Sequence, residues 1–368
     1  MKRFMLFLCG FLLVSAHAFC QQLELQTIAT VRLSKTENIT VKQFKEYVQW
    51  LTIQKALSTQ NNNAQLTDSE RRQALEELGN QFLACQAAEQ EKITVTDREI
   101  NQFYDQNIKG FSDGLAQIMG RTPTDAEIDT ELRNRTGMNR VSYKDMMKRT
   151  LLTQNYLQTK KKSLFEAVKP PTDAEIQTIY NDVKGKSIFE NGFVRPDTAR
   201  IRMILVPIRN PSEKAAAQTT ANNLSRQIGG DPSKFDETAR DFTKPNSNYV
   251  TGDGFIYKHD IIRQAMGANF VDTVFSLKQG EVSRVVERPD GFYIIKVMET
   301  YRSKTLALDD TYNLEDSRSM TVKQAIINAE MERRYMAAMQ QATGELVEEL
   351  RKKGSVQIMN DIYSKITW

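Results

Sequence analysis

Histidine and cysteine are the side chains that most often do chemistry near neutral pH, and this chain has few of either: two histidines and three cysteines in 368 residues. His17 and Cys9 fall in the apolar first segment, which reads as removable. That leaves His259 alone, in the polar run Tyr257-Lys258-His259-Asp260. A single histidine excludes a multi-histidine metal site. A Ser-His-Asp triad would have to rest on His259, for which a solvated loop is the expectation. Cys85 falls on the apolar face of a helical pattern, where a buried free thiol is expected. With Cys20 and Cys85 as the remaining pair there is no disulfide framework. No catalytic residue, metal ligand or cofactor site is assigned from these residues. What the chain offers instead is apolar and adaptable: Met146, Met147, Met331, Met336 and Met339, with aromatics on helical faces. Methionine tolerates varied partners, although core packing accounts for most such residues.

The elements that would position such groups centre on Ala199 to Arg302. An alternating strand, Ala199 to Val206, opens this stretch, and a second strand, Gly291 to Met298, closes it. Asn210 and Pro211 signal a helix that ends at Gly229-Gly230, with Ala217, Ala221, Leu224 and Ile228 on one face. Asp231-Pro232 signals a second, carrying Phe235, Ala239 and Phe242. Gly252-Asp253-Gly254 reads as a turn. A third helix carries Phe270, Val274 and Leu277, and Lys278 to Glu281 turns into Val282 to Val286. Pro289-Asp290-Gly291 reads as a hairpin turn. The order is β-α-α-α-β-β.

That order, with the strings Asn269 to Ser283 and Asp290 to Val297, resembles the parvulin family of peptidyl-prolyl isomerases. The family usually carries one histidine in the first strand and another in the last. Here those places hold Met203 and Tyr293. A Cys or Asp usually follows the second helix, where Pro245 is the nearest match. Met266 and Phe270 match the family's apolar proline-binding pocket. Four apart on a helical stretch, they share a face. The resemblance thus implies a substrate-binding set of Met203, Met266, Phe270 and Tyr293 with no catalytic residue. Methionine donates no hydrogen bond and tyrosine donates one.

The formal net charge of +4 comes from mixed acidic and basic residues, which gives no case for nucleic acid. Mean hydropathy is polar, against a polytopic membrane protein. Met1 to Ala18 reads as a signal peptide: Lys2-Arg3, an apolar core from Phe4 to Ala16, and Ala16-His17-Ala18 as the cleavage site. The apolar run is too short to span a bilayer. Cys20 offers a lipoprotein alternative, against which Phe19 is a poor preceding residue.

After the leader, a strand from Leu23 to Leu33 precedes helix starts at Thr40/Gln43, Thr67/Glu70 and Thr96/Glu99. The helices behind them carry Phe44, Tyr47, Val48 and Leu51, then Leu75, Leu78, Phe82 and Cys85, then Ile100, Phe103 and Tyr104. The strand, Ile39 to Phe44, and Leu75 to Tyr104 with its Ile93-to-Asp97 break resemble the N-terminal domain of the SurA family of periplasmic chaperones. Pro123 to Ile128 recurs verbatim at Pro171 to Ile176, which reads as convergence on a good helix start. Lys160-Lys161-Lys162 reads as a solvated helix end. After Arg302, Thr321/Gln324 opens a long helix with Met336, Met339, Thr343, Leu346 and Leu350 on one face, followed by a short strand, Ser355 to Ile358. A helix with one apolar face needs a partner, and SurA-like chains supply it from the N-terminal region.

The expectation is an α+β chain. After the signal peptide at 1–18, a mostly helical chaperone domain of residues 19–190 is completed by 303–368, and a parvulin-like domain at 199–302 is inserted into it. By resemblance, the expected function is a periplasmic chaperone for unfolded secreted or outer-membrane proteins. An active prolyl isomerase, or an envelope dimerisation module, are the alternatives. The expected partners are unfolded or extended polypeptides, with neither nucleic acid nor a membrane-spanning segment.

Overall fold

Threonines open several of the helices. Thr40, Thr67, Thr124 and Thr172 each accept a hydrogen bond from the amide three residues on, and Gln43, Glu70, Glu127 and Glu175 reach back to the threonine amide. Thr96 and Glu99 make the same exchange. Each pair satisfies two of the amides that a helix start leaves without partners, worth about 1 kcal/mol. The protein is seen here as a computed structural model, which describes residues 23–61, 63–119, 121–240, 248–314 and 320–368. The expected signal peptide at 1–18, Cys20, Phe242 and Pro245 lie outside the described residues.

In chain order the elements begin with strands β1 (Thr27–Arg32) and β2 (Thr36–Thr40). Helices α1 (Val41–Thr59), α2 (Asp68–Gln90), α3 (Asp97–Met119), α4 (Asp125–Thr136), α5 (Arg140–Lys160), α6 (Lys162–Glu166) and α7 (Asp173–Val183) follow. Next come β3 (Val194–Arg195), β4 (Thr198–Pro207), α8 (Lys214–Ile228), α9 (Pro232–Arg240), β5 (Val250–Tyr257), α10 (Asp260–Met266) and α11 (Ala268–Ser276). The chain closes with β6 (Val286–Arg288), β7 (Gly291–Tyr301), β8 (Lys304–Thr305), α12 (Val322–Lys353), β9 (Ser355–Ile358) and α13 (Asn360–Tyr363). Two compact units result: Met1–Val168 with Tyr335–Trp368, and Lys169–Arg334.

In the first unit the chain's two ends share one core. β9 pairs antiparallel with β1, Ala29 opposite Ile358, in a sheet of order β2-β1-β9. Leu75, Leu78 and Phe82 of α2 pack in the same cluster as Ala342, Leu346 and Leu350 of α12. The approach is close: a Cβ on Gly79 would lie 2.5 Å from Val356. Arg351 adds polar ties, bonding Asn80 at 2.7 Å and pairing with Glu76. Lys161, expected on a solvated face, is instead nearly covered, with its amine 2.9 Å from Glu345 and 2.8 Å from Glu349. Met146 and Met147 are buried with Leu132 and Tyr143, so they serve as core rather than as open surface. Met336 does face solvent, at 59% exposure, and Met339 is partly buried.

The second unit is built on an antiparallel sheet of order β5-β4-β7-β6. Two expectations change here. Gly252-Asp253-Gly254 is not a turn but lies in edge strand β5, pairing with β4 from Thr198–Tyr257 to Leu205–Val250. The long-range pairing is reinforced by Arg202, which grips Asp253 through two hydrogen bonds of 2.7 and 2.9 Å. Glycine is tolerated at such an edge. The single helix expected through Met266 and Phe270 is two helices, α10 and α11, broken at Gly267 with φ +87°. Asn210 also makes no side-chain cap; a 3₁₀ turn, Pro211–Glu213, leads into α8. Residues 169–190 and 303–334 belong to this unit, because Ile176, Phe193, Leu306, Val322 and Ile326 form one apolar cluster. The Tyr180 hydroxyl donates to the Leu306 carbonyl at 3.1 Å across it. Among the described residues no helix is long and apolar enough to cross a membrane.

Candidate functional site

Strand alternation decides which side chains meet. On β4, Ile201, Met203 and Leu205 share a face, and β7 sets Val297, Ile295 and Tyr293 opposite them. Directly paired antiparallel residues lie on one side of the sheet, so Met203 and Tyr293 are diagonal neighbours. Against this face pack Phe270, Val271 and Val274 of α11, with Met266 and Ile262 of α10. The opposite face carries Ile204, Ile294 and Phe292 against α8 and α9. Its buried charge, Lys296, reaches Asp236 at 2.6 Å.

Met203, Met266, Phe270 and Tyr293 are therefore brought into one cluster. They are not equivalent in it. Phe270 and Tyr293 are 1% and 4% exposed and meet edge to face, with ring centroids 5.4 Å apart and planes at 82°. Met203 and Met266 are partly buried and keep some surface. Met203 sits opposite Gly252, where an added Cβ would come within 3.5 Å of its Cε. Without that side chain the strand leaves room beside the methionine.

The polar groups here are few and mutually engaged. The Tyr293 hydroxyl donates to Asp290 Oδ2 at 2.6 Å. Burial, then that bond to the carboxylate, pushes the phenol up to about 12, so it stays neutral across the physiological range. Its one donor is committed to Asp290 and is not held toward the methionines. His259 is elsewhere. It is neither a free loop residue nor part of the cluster: its Nδ1 accepts from the Ile261 amide at 3.3 Å, capping α10, and its ring stacks on Phe189 with centroids 4.5 Å apart.

One residue escaped the sequence reading. Arg288, at the end of β6, lays its guanidinium over both aromatic rings, 5.3 Å from the Phe270 centroid and 5.2 Å from that of Tyr293. Its Nη1 lies 3.2 Å from Met266 Sδ, and its Nε is 3.4 Å from Asp290 Oδ1. The hairpin Arg288-Pro289-Asp290-Gly291 is legible locally, but that its first residue folds back over a ring 18 positions earlier is not. The arrangement is an apolar box with methionine at its margins, an aromatic pair at its floor and one cation over it. Met203, which has no hydrogen-bond donor, cannot relay a proton there. Among the described residues no group of three His, Cys, Asp or Glu side chains could hold a metal ion.

Residues 183–301 match the family model of the PPIC-type PPIase domain, the parvulin type. No curated protein matches the chain. Among solved structures, one chain from work on PEB4 and Cj1289, described as two structurally related SurA-like chaperones of Campylobacter jejuni, is 14% identical. It aligns over 91% of this chain and 99% of its own, with a TM-score of 0.32. PrsA from Bacillus subtilis is 22% identical over 79% of this chain and 90% of its own, with a TM-score of 0.27.

Proposed function

We propose that this chain, whose residues 183–301 carry a PPIC-type domain, is an exported chaperone that binds unfolded polypeptide, with isomerase turnover near background. The observation that carries the reading is the composition of the box. Met203 and Tyr293 stand where the family usually has histidines, and the tyrosine's hydroxyl is spent on Asp290. The barrier to prolyl rotation is roughly 20 kcal/mol. Lowering it requires groups that favour the twisted imide over the planar one. The apolar side chains of the box bind both forms alike, and the histidine pair that the family places there is replaced. Met266 and Met203 retain surface with which to hold a proline or another apolar side chain.

In the first unit, Tyr335 and Met336 are 38% and 59% exposed. Tyr335 and Phe165 line a concavity of about 720 Å³ with Ile93. Aromatic and methionine surface beside a concavity suits extended apolar segments of varied sequence, and this is where client chains are proposed to lie. Secreted or outer-membrane proteins are the proposed clients and the periplasm the proposed compartment, on the strength of the leader-like Met1 to Ala18. Mass spectrometry of the exported protein tests the compartment: a mature chain starting at Phe19 supports it, and a lipid on Cys20 moves the protein to a membrane surface.

The function is tested by measuring suppression of aggregation of an unfolded client by the full chain and by Tyr335→Ser/Met336→Ser. The wild type suppresses and the double variant does so less. Equal suppression by both contradicts the placement of clients. No suppression by either contradicts the chaperone reading.

A further inference from the structure

Arg288 is a cation held over an apolar box with its own hydrogen bonding incomplete. Its side chain is only 16% exposed. Its Nε is buried with no hydrogen-bond partner, since the 3.4 Å approach to Asp290 is an ion contact without hydrogen-bond geometry. Nη1 meets a thioether sulfur, a weak acceptor. The remaining support is two aromatic faces. Asp290, the nearby carboxylate, is shared, because its other oxygen takes the Tyr293 hydroxyl at 2.6 Å. A guanidinium has five donors in a planar fork that suits a carboxylate, and here it lacks a full partner.

We propose that Arg288 sets the specificity of this box for acidic peptide segments: an Asp or Glu side chain next to the proline or apolar residue in the box pairs with the guanidinium. The inference rests on the reading of the box as a peptide site. Partial burial strengthens such a pair over one in open water, and the two rings keep the guanidinium in place before the peptide arrives. A lysine at the same peptide position would face the cation and be disfavoured.

The test uses three fluorescent peptides, identical but for Glu, Ala or Lys immediately before a single proline. Their binding to the full chain is followed by anisotropy. The Glu peptide is expected to bind about tenfold tighter than the Lys peptide, with Ala between them. In Arg288→Gln the ratio should fall toward one. In Asp290→Asn, which removes the competing carboxylate, it should widen, so the proposal does not depend on one variant folding. Equal binding of all three peptides by the wild type overturns the proposal and leaves the peptide site standing. An unchanged ratio in Arg288→Gln also overturns it. Absence of binding by all three overturns both.

Discussion

Phe270 and Tyr293 hold the box together before they can hold anything else. At 1% exposure Phe270 is core, and Phe270→Ala is expected to cost the second unit about 3–5 kcal/mol in a urea titration. Loss of client binding in that variant would therefore report unfolding, and Met266, which keeps surface, is the better probe. Tyr293 carries a pH signature. Its folded pKa, about 12, lies above the ordinary value of 10. The stabilisation is thus fully present below pH 10 and is lost as pH rises from about 10 to about 12. Stability should fall over that window in the wild type, and Tyr293→Phe should flatten the fall. Strand alternation shows in the sequence which face of its own strand each of Met203 and Tyr293 takes; that the two strands pair was implied only by the parvulin resemblance. Arg288 was not legible, because a cation over two rings depends on packing across the hairpin.

At the scale of elements, Gly267 separates α10 from α11 and lets Met266 and Phe270 approach the sheet from two helices. Its φ of +87° is one that side chains avoid, and nothing lies within 4 Å of an added Cβ. Gly267→Ala should therefore cost about 1–3 kcal/mol from backbone strain alone, measured by thermal unfolding. Gly291 is constrained differently: a Cβ there would fall 2.5 Å from Leu205 Cδ1 and 2.5 Å from the Val206 carbonyl oxygen. Helix starts were the most legible elements, since a threonine and a glutamate three residues on interact whatever the rest of the chain does. Strand β5 was the least legible. Its Thr-Gly-Asp-Gly start has turn composition, and only pairing with β4 and the Arg202–Asp253 contact make it a strand.

At the scale of the molecule, residues far apart in sequence complete each unit. The first unit takes β9, Leu346 and Leu350 from the C-terminal segment, and the hydroxyl of Tyr363 donates to Asp68 at 2.9 Å. Removing 335–368 uncovers the faces of α2 and β1 that these residues bury. Limited proteolysis should then cut within 23–168 far faster than in the full chain. The second unit needs more than 199–302, since Ile176, Phe193 and Leu306 lie outside that span. A fragment of 169–334 should melt more cooperatively than one of 199–302. That the long helix needs a partner was legible from its single apolar stripe; that the N-terminal helices supply it was implied by the SurA resemblance. The place of 169–190 was not, because a capped amphipathic helix does not reveal which sheet it will meet.

We propose that the parvulin-type domain keeps its box without the family's histidine pair, and so binds proline peptides with little turnover. NMR exchange spectroscopy on a proline peptide, with the full chain added, tests it most directly, since binding and cis–trans exchange are read on the same resonances. On that proposal, shifts at the proline and its neighbours are expected, with exchange close to the uncatalysed rate. Rapid exchange that persists in the purified chain and disappears in Tyr293→Phe would contradict it.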